Sequence, residues 1–209
     1  MPAAKSRSGL YSVHPGLSMV EKWKNDLPAK TGRSLEQWIA FVQQCGPATE
    51  KERRAWLKQE HKLGTNTAWS IAERAEGKGA EEDSPDAYLE AAEKWVNAMF
   101  SGPREALRPL YDQLLRVALV LSKDVKASPG KTIVSLYRNH VFAQIKPATN
   151  TRIDFGLALR DMKTPKRLID TGGYAKKDRI TRRIEVKSKA DIDDELRRWL
   201  KKAYEMDAE

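Results

Sequence analysis

The sequence predicts an α+β protein, in which a small N-terminal helical bundle is followed by an α+β module of two helices, an antiparallel sheet of about four strands and a C-terminal helix. Three observations predict it. Helix-start signals recur in the first third of the chain, each followed by apolar residues at helical spacing. From Lys131 to Lys187 the apolar period shortens from about 3.6 to about 2 residues, which is typical of half-buried antiparallel strands. After Ser188 the helical period returns.

The helical bundle is predicted over residues 17–78. Three pairs of residues have the Ser/Thr-x-x-Glu/Gln spacing, in which two side chains satisfy helix-end amides reciprocally: Ser18 with Glu21, Ser34 with Gln37, and Thr49 with Glu52. Thr65 or Asn66 begins a fourth helix. Residues 1–16 mix Pro, Ser and Gly without a period, and we expect a disordered lead-in there.

An acidic stretch over residues 79–85 is predicted to be a linker, and the α+β module is predicted over residues 86–209. Ser84 and Pro85 have the N-cap and first-turn chemistry of a helix, and a second helix is expected from Pro103. The predicted strands are 133–137, 141–145, 153–159 and 179–187. Ser188 with Asp191 then predicts the start of the closing helix.

Charge indicates the class of partner. The chain has a formal net charge of +9, and between Lys123 and Lys189 it holds 17 basic against 6 acidic residues. Such an excess favours an anionic partner, either nucleic acid or an acidic protein. Cys45 is the only cysteine, so an intramolecular disulfide is impossible and a reducing compartment is the economical interpretation. With no long apolar run, we expect a cytoplasmic protein without a membrane partner, whose oligomeric state stays open.

Two resemblances accompany these patterns. The segments Lys30–Ile39 and Trp56–Gly64 resemble the helical family known as domain of unknown function 4287 over most of residues 18–76. The segments Phe142–Pro147, Thr151–Leu157 and Trp199–Glu205 resemble domain of unknown function 5655 over roughly residues 86–206. The first resemblance implies domain boundaries and no chemistry. The second implies an accessory α+β module and supplies no catalytic residues.

The basic strands and loops hold the candidate nucleic-acid site. Its predicted residues are Arg138, His140, Lys146, Arg152, Arg160, Lys176, Lys177, Arg179 and Arg183. Clustered cations neutralise phosphates and release counterions, and Tyr137, Phe142 and Tyr174 stack on bases if they are exposed. The alternative is a solvated basic sheet face with buried aromatic rings. Both interpretations stay open at the level of sequence.

Two other functions compete with nucleic-acid binding. Glu185-Val186-Lys187, with Asp170 or Asp178 upstream, has the pattern of a metal-dependent nuclease, in which two carboxylates hold a divalent ion. An ordinary exposed strand end has the same pattern, so we expect no catalytic residue, no metal and no cofactor. A protein-interaction adaptor would instead use Trp56 and Trp69 as a docking patch. We therefore expect a non-enzymatic two-domain protein of bacterial type that binds an anionic partner.

Overall fold

The computed structural model describes residues 9–163 and 165–208. Within them the chain forms seven α-helices and a six-stranded antiparallel sheet, which confirms the α+β class. The chain divides into two compact units: Val13–Glu90, and Ala91–Glu209 together with Met1–Ser12, of which residues 9–12 are described. None of the helices in the described part of the chain combines the length and the apolar character that crossing a bilayer requires.

The N-terminal unit is helical. Its helices are α1 (Leu17–Thr31), α2 (Leu35–Cys45), α3 (Glu50–Gln59) and α4 (Thr65–Ala75). Two of the three predicted capping boxes are confirmed, at Ser34 and at Thr49. The third is wrong, because α1 begins after Gly16 and the Ser18 hydroxyl donates to the Pro15 carbonyl. Apolar side chains from all four helices, with Trp38 and Leu57 among them, form the core of this unit.

The predicted acidic linker packs against the helical unit. Residues Ala80–Glu82 form a 3-10 helix. The Arg74 side chain, buried on α4, donates to the Gly79 carbonyl at 3.3 Å and to Glu82 at 3.4 Å. A buried guanidinium needs such partners, since leaving it unpaired is costly. The acidic residues therefore neutralise a cation of the bundle, and the division between the two units falls later, inside α5 (Pro85–Met99).

The C-terminal unit is built around the sheet. After α5 the chain forms a 3-10 helix over Gly102–Leu107, α6 (Arg108–Leu119), and the strands and last helix of this unit: β1 (Lys126–Pro129), β2 (Val134–Tyr137), β3 (Val141–Pro147), β4 (Ile153–Leu157), β5 (Ile169–Asp170), β6 (Arg182–Val186) and α7 (Asp194–Met206). The strand order is β1-β2-β3-β4-β6-β5. Two short strands, β1 and β5, were missed by the sequence analysis because four and two residues are too few to establish a period.

Helices pack over the apolar side of the sheet. α6 contacts β1 and β3, and α7 contacts β3 and β4. Alternate strand residues, including Ile145, Phe155 and Ile184, are fully buried. The capping box at Ser188 forms as predicted, but it caps a 3-10 helix over Lys189–Asp191, and the Asp193 side chain caps α7 instead.

The predicted disordered lead-in differs from the structure where it is described. Residues 1–8 lie outside the described residues. Beyond them, Tyr11 is buried and its hydroxyl lies 3.0 Å from that of Tyr111 on α6. The Ser12 amide donates to the Ala127 carbonyl at 2.8 Å, so this segment hydrogen-bonds to the edge strand β1. Covering an edge strand removes a template for aggregation. Burial, above all, raises the pKa of Tyr111, so its hydroxyl stays neutral.

The Tyr11 contact predicts a measurable loss of stability. Tyr11→Phe keeps the ring but removes the hydroxyl bonded to the buried Tyr111, and we expect the free energy of unfolding to fall by about 1 kcal/mol. Tyr174→Phe, which removes a hydroxyl from an exposed ring, is the matched control, with an expected change below about 0.5 kcal/mol. Urea unfolding of both variants checks this. Equal stability of the two variants would contradict the assignment.

Candidate functional site

The nine predicted cations do not share one face. They form three groups: Lys146, Arg152 and Arg183 on strands of the sheet or next to them, Arg138 and His140 on the hairpin between β2 and β3, and Arg160, Lys176, Lys177 and Arg179 around a hollow at one end of the sheet. The surroundings of each group decide which of its charges are available to a partner.

The group on the sheet is largely neutralised. Asp154 lies opposite Glu185 in the register of β4 and β6, so two like charges face each other. Arg183 bridges them, with its Nη1 atom 2.9 Å from Asp154 and 3.0 Å from Glu185. Arg152 makes a second bridge at 2.9 Å to each carboxylate. Both guanidinium groups are paired with these two carboxylates. Lys146 is the one exposed cation of this group.

The carboxylates named in the competing nuclease hypothesis do not come together. Asp170 lies opposite Arg182 and pairs with it at 3.2 Å. Arg182 and Glu185 are an odd number of residues apart, so Asp170 and Glu185 belong to opposite faces of the sheet. Asp178 lies four residues before the start of β6, and Glu185 lies within that strand. The two residues are therefore more than about 10 Å apart along the chain. Within residues 9–163 and 165–208, no group of three or more His, Cys, Asp or Glu side chains is arranged to hold a metal ion.

The hairpin group is bound to the C-terminal end of α7. Asp207, buried just past that end, accepts hydrogen bonds from the backbone amides of Asn139 at 2.9 Å and His140 at 2.8 Å. The His140 ring lies 3.3 Å from the same carboxylate. Arg138 donates to Asp124 at 3.1 Å and covers the Tyr204 ring at 4.3 Å. These two side chains therefore hold the hairpin on the helix.

The third group surrounds a hollow of about 550 Å³ at the end of the sheet where β4 finishes and β6 begins. We call it the loop hollow. It is lined by Ala158, Arg160, Tyr174, Ala175, Lys177, Asp178, Arg179, Thr181, Ala203, Met206 and Asp207. Arg179 donates to Asp207 at 2.6 Å, and Arg160 donates to the Met206 carbonyl at 3.3 Å. Lys176 and Lys177 are exposed, and within residues 9–163 and 165–208 no carboxylate lies within ion-pair distance of either ammonium group.

The loop that forms the outer wall of the hollow is closed on itself. The Thr171 hydroxyl donates to the Ile180 carbonyl at 2.7 Å, and the Thr171 amide donates to the Thr181 carbonyl at 3.2 Å. Gly173 is required at this closure, because a Cβ atom there would overlap the Ile180 carbonyl oxygen. Residues 174–179 are therefore presented on a hydrogen-bonded frame rather than on a free loop.

Two of the lining cations have unusual backbone conformations. Among the described residues, three other than glycine have positive φ, and two of these are Arg160 (φ 50°) and Lys177 (φ 57°). Lys177 and the next residue donate to the Tyr174 and Gly173 carbonyls, which is the helix-ending motif that usually places glycine at this position. The chain uses Gly77, with φ 73°, for the same motif after α4. Lysine at 177 is therefore costly where glycine was available.

The three aromatic residues named with the predicted cations differ in their exposure. Tyr174 is 58% exposed and lines the loop hollow. Phe142 is fully buried against Tyr204, as the alternative of buried aromatic rings expects, so its ring offers no surface on which a base could stack. Tyr137 is half-buried on β2. Sequence reasoning could not separate the three, because an aromatic residue beside cations looks the same whether its ring faces the core or solvent.

Asp207 was missed by the sequence analysis. An acidic residue at a helix C-terminus is disfavoured by the helix dipole, and this misfit was the available signal. The structure explains the misfit, since two backbone amides and Arg179 surround the carboxylate.

The adaptor hypothesis concerns the N-terminal unit. Trp69 is 45% exposed, with the Arg54 guanidinium 5.5 Å from its ring. Trp56 is half-buried and packs on Phe41 and His61, with ring centroids 5.4 and 4.5 Å away. The two rings thus differ in exposure, and a docking role for them stays a prediction.

Comparison with known families bears on both units. The family described as domain of unknown function (DUF5655) matches residues 96–207, more than half of the chain. The chain belongs to this family. The family described as domain of unknown function (DUF4287) matches residues 21–77, so both predicted resemblances are confirmed. Comparisons with curated proteins and with solved structures gave no match. Neither family description names an activity, so the chemistry of the site has to be argued from its residues.

The backbone at residue 177 predicts a reciprocal pair of stability changes. Lys177→Gly relieves the left-handed conformation and should raise the free energy of unfolding by about 1 kcal/mol. Gly77→Lys forces a side chain into the same motif, with open space around the Cβ position, and should lower it by a similar amount. Calorimetry of both variants checks the pair. A Lys177→Gly protein that is less stable than the wild type would contradict it.

The carboxylate pair on the sheet predicts a pH dependence. Hydrogen bonding to Lys187, above all, holds the pKa of Glu185 below its ordinary value of 4.5. A lowered folded-state pKa stabilises the fold above the unfolded value, and this contribution is lost as the pH falls through the folded pKa. Lys187→Met should raise the pKa of Glu185, as followed by NMR titration, and should destabilise the protein at neutral pH but not in acid. Lys146→Met is the control that should leave the Glu185 pKa unchanged.

Proposed function

We propose that the C-terminal unit is a non-enzymatic module that binds nucleic acid through the loop hollow. Phosphate groups bind where several cations converge, because each neutralised charge releases counterions. Arg160 and Lys177 line the hollow from two separate loops, and Lys176 adjoins them, whereas the Arg179 guanidinium in the same lining is paired with Asp207. Of the two lining carboxylates, Asp207 is buried and bonded to backbone amides and Arg179. The Asp178 carboxylate accepts from the Ile180 amide at 3.3 Å.

One observation carries this proposal: Arg160 and Lys177 both have positive φ, and both line the same hollow. Residues held in such conformations cost about 1–3 kcal/mol and concentrate at functional sites. Lys177 is exposed, so core packing does not account for the lysine. A cation that must be presented at this position does account for it.

The other basic residues support the same choice of surface. Arg152 and Arg183 hold Asp154 and Glu185, and Arg138 holds Asp124. A guanidinium already paired with a carboxylate gives little to a phosphate, since one ion pair must break for the other to form. Among the nine predicted cations, Lys176 and Lys177 are adjacent and exposed, and neither is paired with a carboxylate of residues 9–163 and 165–208.

The test is fluorescence anisotropy of a labelled single-stranded oligonucleotide across a series of salt concentrations. We expect the logarithm of the affinity to fall linearly with the logarithm of salt concentration, and the doubly substituted Lys176→Ala, Lys177→Ala protein to lose about one unit of slope for each phosphate contact removed. The matched control is Lys51→Ala with Lys58→Ala, which removes the same charge from the exposed face of α3.

Three outcomes would overturn the proposal. The first is no binding at low salt. The second is an equal loss of affinity in the control, because non-specific attraction to net charge then suffices. The third is binding of poly-glutamate as tight as that of the oligonucleotide, which would indicate an acidic protein as the partner.

A further inference from the structure

The loop hollow has an apolar part as well as a charged rim. Ala158, Ala175, Ala203 and Met206 contribute to its lining, and the Tyr174 ring, 58% exposed, stands among them. A site for phosphates alone has no use for these groups, because a phosphate stays hydrated on its outer side and gains nothing from methyl groups. The lining instead suits a ligand with a flat apolar surface attached to an anion.

We infer that the hollow takes one unpaired base of a single strand, with the Tyr174 ring as the stacking surface, and this inference rests on the proposed function. A volume of about 550 Å³ lies within the range of pockets that hold a single small ligand. Bases in a duplex are already stacked and paired, so only an unpaired base reaches such a hollow without the cost of extrusion.

The cations are placed to hold the phosphates that flank this base. Lys177 follows Tyr174 by three residues in the same turn, and its amide donates to the Tyr174 carbonyl at 3.1 Å. The backbone at both residues is therefore held by one hydrogen-bonded turn, with Gly173 at its start, so the ring and the lysine side chain leave the chain from the same turn. Arg160 comes from the segment after β4 and lines the hollow independently of that turn. Stacking on an aromatic ring accepts any base, so strand state rather than sequence is recognised.

The test separates the base from the charge. The protein is titrated with a single strand, with a strand of equal length whose sugars carry no bases, and with a duplex. We expect the base-free strand and the duplex to bind about tenfold more weakly than the single strand, the scale of one stacked base. Tyr174→Ala should lower the affinity for the single strand to that for the base-free strand and leave the latter unchanged. Tyr174→Phe, which keeps the ring, should bind as the wild type does.

The outcomes distinguish this inference from the proposed function. Binding of neither strand removes the proposed function. Equal binding of both strands, or an effect of Tyr174→Ala on both, removes the stacked base while the charged interface stands. Competition by a free mononucleotide as strong as that by the strand would make the free nucleotide the ligand and overturn the inference as stated. Selective loss of base-dependent binding in Tyr174→Ala, with folding unchanged by circular dichroism, supports it.

Discussion

The arrangement of the site depends on the hydrogen bonds that the buried Asp207 carboxylate accepts. It accepts the amides of Asn139 and His140 and the guanidinium of Arg179, so the end of α7, the hairpin before β3 and the loop before β6 all meet at one group. A buried charge is tolerated only when it is paired and hydrogen-bonded, and these partners are positioned nearby: Asn139 and His140 lie in the short connection between β2 and β3, and Arg179 also donates to the Val141 carbonyl at 3.1 Å. The loop hollow is shaped by this junction, since Arg179 and Asp207 both line it.

Paired charges elsewhere in the unit have a different consequence. Asp154 and Glu185 repel each other across β4 and β6, and Arg152 and Arg183 are needed to hold them. This network makes the sheet surface polar while consuming most of its cations. Two surfaces with similar numbers of Lys and Arg therefore differ in what they offer an anionic partner, and a count of charges along the sequence does not distinguish them.

The fold was predictable from sequence because long segments with a clear period specify their own structure. The capping boxes at Ser34 and Thr49 predicted the starts of α2 and α3. The alternation of apolar and polar residues predicted β3 and β4. The site was predictable only in part. Arg160, Lys177 and Arg179 were named, but their convergence depends on long-range packing around Asp207, which has no local signature. The Tyr11 contact with Tyr111 was missed for the same reason, whereas β5 was missed because two residues establish no period.

The contrast between Gly77 and Lys177 connects stability with function in this chain. Both residues end a turn with the same pair of backbone hydrogen bonds and both have positive φ, so the backbone makes the same demand at each position. After α4 the position is occupied by glycine, which adopts positive φ without strain. At the loop hollow it is occupied by a lysine beside an exposed tyrosine, on a frame closed by Thr171 and Gly173. Lys62, with φ 55°, keeps a lysine in the same conformation outside the hollow, so what distinguishes Lys177 is its place, together with Arg160, at one hollow that Tyr174 also lines.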